Sequence, residues 1–146
     1  MDRLKVALLG ATGMVGQRFV KLLANHKMFE IAVLAASSRS AGKKYRDAVH
    51  WCIEGDLPEE VADMRVVKVE LENVIKEDRI DLVFSAVPSE VAREVEPEFA
   101  KVGIPVISDA SAYRMEEDVP ILIGEVNSDH LKLVKRQARR GWKAFI

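Results

Sequence analysis

A chain of 146 residues is long enough for one domain with a core of its own. Its 49% hydrophobic and 31% charged residues describe a soluble globular protein, with no apolar run near the roughly 20 residues of a membrane-spanning helix. Lys plus Arg (22) nearly balances Asp plus Glu (23), so net charge gives no reason to expect nucleic acid or an anionic membrane as partner.

The chain opens on Met1-Asp2-Arg3 and passes directly into an apolar run, with no signal-peptide pattern. That run, Lys5–Leu9, reads as a strand and ends on Gly10-Ala11-Thr12-Gly13-Met14-Val15-Gly16. A helix over Met14–Asn25 follows, because Val15, Phe19, Leu22 and Leu23 form one helical stripe. Glycines let the backbone turn tightly and approach a pyrophosphate, and a helix N-terminus offers free N–H groups and partial positive charge. In the first strand–helix turn of an alternating chain, this spacing predicts a dinucleotide site at Gly10, Thr12, Gly13, Met14, Val15 and Gly16. The competing reading is a tight turn with close helix–strand packing and no ligand.

The second strand, Ile31–Ala36, bears on which dinucleotide. An NAD-selective site usually carries Asp or Glu at the end of this strand to hold the ribose 2′-hydroxyl. Here the strand runs into Ser37-Ser38-Arg39-Ser40, with no carboxylate. Three hydroxyls and a guanidinium stand where NADP carries its 2′-phosphate, and Arg pairs with phosphate bidentately. Lys43 and Lys44 add positive charge nearby. NADP is the expected cofactor, held by Ser37, Ser38, Arg39 and Ser40; a solvated polar loop is the alternative.

From Arg39 to Asp63 there is little periodicity, and Gly42, Gly55 and Pro58 act as breakers. Long irregular stretches are often functional. This one holds the sole cysteine, in His50-Trp51-Cys52, which excludes an intrachain disulfide and fits a reducing cytoplasm. A thiolate–imidazole pair with His50 is one reading; a buried, inert thiol is the preferred one. His26 and His130 read as surface or capping residues, and no group has metal-ligand spacing.

Further strands are expected at Arg65–Val69, Leu82–Ala86, Pro105–Ser108 and Ile121–Ile123. Ser85 and Ala86 close the fourth strand, where they are expected to meet the nicotinamide half of the cofactor. Val91, Val95, Phe99 and Val102 form a helical stripe, and Pro97 inside it predicts a kink or a helix broken in two. Asp129–Arg140 reads as a last helix, capped by Asn127 or Ser128 and stopped by Gly141. The final Trp142–Ile146 looks like a strand just beginning. Strand–helix alternation, with several strands apolar on both faces, predicts an α/β fold: one Rossmann-type domain over 1–146, a doubly wound parallel sheet.

Five segments, Gly10–Gly16, Ala36–Lys43, Ser108–Arg114, Asp118–Asn127 and Gly141–Ile146, together resemble the NADP-binding half of archaeal and fungal aspartate-semialdehyde dehydrogenases. The resemblance covers essentially the whole chain, in the family's order. Gly124 departs from the proline of that pattern, and Asp109 from its frequent asparagine. The resemblance implies a two-domain, oligomeric oxidoreductase of lysine, threonine and methionine biosynthesis. Such an enzyme interconverts L-aspartate 4-semialdehyde and 4-phospho-L-aspartate with NADP(H) and phosphate, through a cysteine thioester. It implies that Arg114 binds the substrate's phosphate; a salt-bridging arginine is the alternative reading. It also places the nucleophilic cysteine, a histidine and the catalytic and dimerisation domain beyond Ile146. No catalytic residue is then expected within 1–146, and the chain alone is expected to be inactive. Malonyl-CoA reductase and N-acetyl-glutamyl-phosphate reductase are related alternatives. A dinucleotide-binding module without chemistry is the alternative of another class.

Overall fold

In the computed structural model, which describes residues 2–146, β1 (Leu4–Leu9) buries Val6, Ala7, Leu8 and Leu9 completely. A strand of this kind must be covered on both faces. Successive side chains point to opposite faces, which sorts the core into two layers. Val6 and Leu8 pack with Val20, Leu34, Tyr45 and Phe84 on one side. Ala7 and Leu9 pack with Val33, Val83, Phe99 and Ala100 on the other.

The elements follow in the order α1 (Met14–Leu23), β2 (Phe29–Ala36), α2 (Tyr45–Ala48), α3 (Glu59–Ala62), β3 (Val67–Lys68) and α4 (Leu71–Glu77). Then come β4 (Leu82–Ser85), α5 (Ser89–Val102), β5 (Val106–Ser108), α6 (Gly124–Asn127) and a 3-10 helix, Ser128–Arg140. Every strand pairing is parallel, and the sheet order is β3-β2-β1-β4-β5. The doubly wound parallel sheet expected from the sequence is therefore present. Its strand order reverses between β1 and β4, and a crevice belongs at their carboxyl ends.

Some expectations need correction. Ile121–Ile123 joins no strand of the sheet. Its backbone is taken up by Asn127, whose Oδ1 accepts from Ile123 N and whose Nδ2 donates to Ile121 O, both at 2.7 Å. Asn127 thus stands at the start of the last helix without capping it, and Ser128 is the first residue of that helix. The helix over Ser128–Arg140 has 3-10 form, and Gly141 ends it at φ +76, the left-handed conformation glycine adopts without strain. The strand expected over Arg65–Val69 shrinks to Val67–Lys68 at the sheet edge.

Pro97 does not break α5, which runs unbroken from Ser89 to Val102. A proline in a helix leaves the carbonyl four residues earlier without its donor. Here that carbonyl belongs to Arg93, and the Tyr113 hydroxyl donates to it at 2.7 Å. The loop after β5 thereby satisfies the helix it packs on. The chain's final residues lie beside β5, where Val106 N donates to Phe145 O at 2.8 Å. Buried Gln137 secures them, donating to Ile146 O and accepting from Ile146 N. Among the described residues, no helix is long and apolar enough to cross a membrane.

Candidate functional site

The glycine turn sits where the sheet order reverses. Gly10 N and Ala11 N both donate to Ala35 O, at 2.9 and 3.0 Å, which ties the turn to the end of β2. Gly10 has φ +82, and a Cβ there would collide with the Ala86 carbonyl after β4. A Cβ on Gly16 would collide with the Gly10 carbonyl, so α1 can approach the turn only without a side chain there. Gly13 differs: an added Cβ would meet nothing nearer than Gly10 O at 3.6 Å. Two glycines therefore shape the turn, and the third leaves open space over it.

Gly13 is the N-cap of α1 and supplies no side-chain cap. The first-turn N–H groups of a helix have no acceptor within the helix and present partial positive charge. Exposed Met14 and Val15 flank them, and Thr12 is half-buried. This is a fitting cradle for a pyrophosphate.

The irregular stretch buttresses this turn from below. Tyr45 is fully buried, and its hydroxyl donates to Ala11 O at 2.6 Å. Burial raises the Tyr45 pKa, so the phenol remains a neutral donor. Gln17, also buried, donates through Nε2 to Thr12 O and His50 O, and its Oε1 accepts from Cys52 N at 2.8 Å. Cys52 itself is exposed, which overturns the expectation of a buried thiol. Its Sγ lies 3.4 Å from Gln17 Oε1, and it forms no pair with the His50 ring. Tyr45→Phe is expected to cost about 1–3 kcal/mol, because the Ala11 carbonyl would lose its buried donor. Chemical denaturation checks this; an unchanged midpoint would remove Tyr45 from the support of the turn.

Ser37, Ser38 and Arg39 lie exposed at the carboxyl end of β2, and Ser40 is half-buried. Ser40 N and Ala41 N both donate to Ser37 O, folding the segment into a turn beside the glycine loop. Lys43 is exposed, but Lys44 is turned away to Asp63 at 3.1 Å. Lys44 and Arg46 hold Asp63 below its usual carboxylate range. The positive charge on this loop is thus carried by Arg39 and Lys43.

At the other end of the crevice Ala86 lies against Gly10. The side chain of Ser85 is fully buried, so only its backbone can take part in a site there. Its carbonyl accepts from Asp109 N at 2.8 Å, and Arg114 Nη2 donates to Asp109 O at 3.3 Å. Arg114 is exposed on the loop after β5, at the same end of the sheet as the glycine turn.

Sequence reasoning missed Gln17, Tyr45 and Glu96. Glu96 carried the one available signal: a carboxyl in a helix whose neighbours Ala92, Phe99 and Ala100 are buried. Tyr45 had none, because Ala11 is 34 residues away, and Gln17 joins its near partner Thr12 to His50, 33 residues away.

A parallel sheet of this order, with a glycine turn at its reversal point and an uncapped helix start above it, defines a Rossmann-type dinucleotide-binding domain. The model of the family "Semialdehyde dehydrogenase, NAD binding domain" matches residues 5–134, and the chain belongs to that family. An aspartate-semialdehyde dehydrogenase of Archaeoglobus fulgidus is 50% identical over 145 residues, 99% of this chain and 41% of its own length. The crystal structure of Candida albicans aspartate-semialdehyde dehydrogenase with NADP superposes with a TM-score of 0.86 at 42% identity, over 99% of this chain and 41% of that one. Malonyl CoA reductase (NADP) of Metallosphaera sedula is 41% identical over 144 residues, 98% of this chain and 39% of its own length. The chain thus spans about two fifths of these relatives.

Proposed function

We propose that this chain is the NADP-binding domain of an aspartate-semialdehyde dehydrogenase. The observation that carries the cofactor choice is the end of β2, where Ser37, Ser38 and Arg39 are exposed and no carboxylate stands. The first turn of α1 would receive the pyrophosphate, with Gly13 giving it room. Arg39 and the serines would pair with the 2′-phosphate, and the backbone at Ser85 and Ala86 would face the nicotinamide half. Bound NADP supplies the hydride-accepting ring; this chain binds, orients and partly encloses it. Arg114 would meet the phosphate of the substrate, from the loop that Asp109 ties to Ser85. The 50% identity to the archaeal aspartyl enzyme, against 41% to the malonyl-CoA enzyme, favours aspartate semialdehyde as substrate of the whole enzyme. A homo-oligomer working in the cytoplasm belongs to the same proposal.

Arg39→Ala tests it. NADP affinity should fall by roughly 1–3 kcal/mol, the range for a charge-assisted hydrogen bond, and NAD affinity should stay the same. Titration calorimetry with both cofactors reads the difference. Equal weakening of the two would place the 2′-phosphate elsewhere.

A further inference from the structure

Two carboxyls are buried among the described residues and neither belongs to this cofactor site: Asp118, which Arg140 pairs, and Glu96, which has no cationic partner. Glu96 lies in the middle of α5, fully buried on the helix face it shares with Ala92, Phe99 and Ala100. An apolar residue of similar size would avoid the cost of taking a carboxyl out of water. The carboxyl points to the carboxyl ends of β4 and β5. Ser108, the last residue of β5, donates its hydroxyl to Oε1 at 2.6 Å. Ser108 Oγ in turn accepts from Ala110 N at 3.1 Å, which fixes the first turn of the following loop. Ser85, the last residue of β4, is buried with its hydroxyl close enough to favour the charged carboxylate. Neither Ser85 Oγ nor Glu96 Oε2 completes a hydrogen bond, so the two orphaned buried polar atoms belong to one cluster. Burial is the larger influence and pushes the Glu96 pKa up.

The strand ends that meet at Glu96 lie on the side of the crevice away from Ser37–Ser40. A dinucleotide held by its 2′-phosphate at β2 and its pyrophosphate at Gly13 reaches β4 with its nicotinamide half. We propose that Glu96 is a positioning residue for that half: through its hydrogen bond with Ser108 it fixes the carboxyl end of β5, and Asp109 N, next in the chain, holds the Ser85 carbonyl at the end of β4. This rests on the cofactor reading above. Glu96 touches no ligand; it acts on the backbone at Asp109–Ala110, which Ser108 carries, and through the Asp109–Ser85 backbone bond on the start of the loop at Ala86.

The test compares two ligands. NADP engages both halves of the crevice, whereas adenosine 2′,5′-bisphosphate lacks the nicotinamide half and engages only the Arg39 side and the glycine turn. Calorimetry on the unaltered chain, Glu96→Gln and Ser108→Ala gives the ratio of the two affinities. Both variants should bind the bisphosphate within about twofold of the unaltered chain and NADP about tenfold more weakly, the loss expected when one hydrogen bond's worth of positioning goes. Phe99→Leu loosens the same helix without touching the carboxyl. It should lower Tm and leave the ratio alone, which separates positioning from loss of stability. If Glu96→Gln does not fold, Ser108→Ala removes the same link from the strand side. An unchanged ratio in the serine variant, or an equal shift in Phe99→Leu, overturns the role of Glu96 while the cofactor reading stands. If the unaltered chain binds neither ligand, both readings fall together.

Discussion

Gly13→Val is expected to abolish dinucleotide binding while leaving a folded domain. The valine Cβ would enter the open space above the turn, where the nearest atom beyond the adjacent residues is Gly10 O at 3.6 Å. Gly13 has φ −75 and ψ 165, an extended conformation that valine adopts without strain. Folding therefore has no reason to suffer, and Tm should stay within about 3 °C. A pyrophosphate over the α1 start needs the space the valine occupies, so no saturable heat is expected up to about 1 mM NADP. Gly16→Val is the contrasting variant. Its side chain would collide with the Gly10 carbonyl, backbone that β2 and β4 hold on either side. That variant should lose the fold itself, seen as loss of the circular-dichroism transition. Retained NADP binding in folded Gly13→Val would place the cofactor away from the turn.

The second large effect concerns turnover. This chain, assayed alone, should form no NADPH from aspartate semialdehyde and phosphate. Thioester chemistry needs a thiolate beside C4 of the nicotinamide ring. The only thiol in the sequence is Cys52, and it sits against Gln17 under the glycine turn rather than by Ala86. No hydride donor can form where the ring would lie. Binding should survive, because the turn and Ser37–Ser40 are complete within the chain. Phosphate-dependent growth of the reduced-nicotinamide absorbance follows the reaction. Activity that disappears in Cys52→Ser would overturn this placement of the thiol.

Cys52 and Lys44 show where reading along the chain stops. Both lie in the irregular stretch, and their surroundings come from residues far away in sequence. Cys52 was expected to be buried as a small apolar residue, yet Gln17 holds the backbone at an exposed position. Lys44 was expected to add positive charge near Ser37–Ser40, yet Asp63 takes it at 3.1 Å. Ser85 ends β4 one residue before the expected end of the strand, and its side chain turns inward, leaving its backbone on the crevice side. A strand position fixes where a residue lies along the sheet; which face it presents follows from the register set by its neighbours.

Sequence alone determined the strand–helix alternation, the glycine turn and the carboxylate-free end of β2. Each depends on periodicity or spacing within about a dozen residues, and local sterics enforce such patterns wherever they occur. Tertiary structure decided the rest. It unpaired Ile121–Ile123 by giving their backbone to Asn127, and kept α5 whole across Pro97 by lending Arg93 the Tyr113 hydroxyl. It set Tyr45 beneath Ala11 and brought Glu96 to the ends of two strands. These are polar groups taken from water, and each must find a partner inside the fold. The partner is supplied by whichever segment the packing brings near, and no pattern along the chain names it in advance.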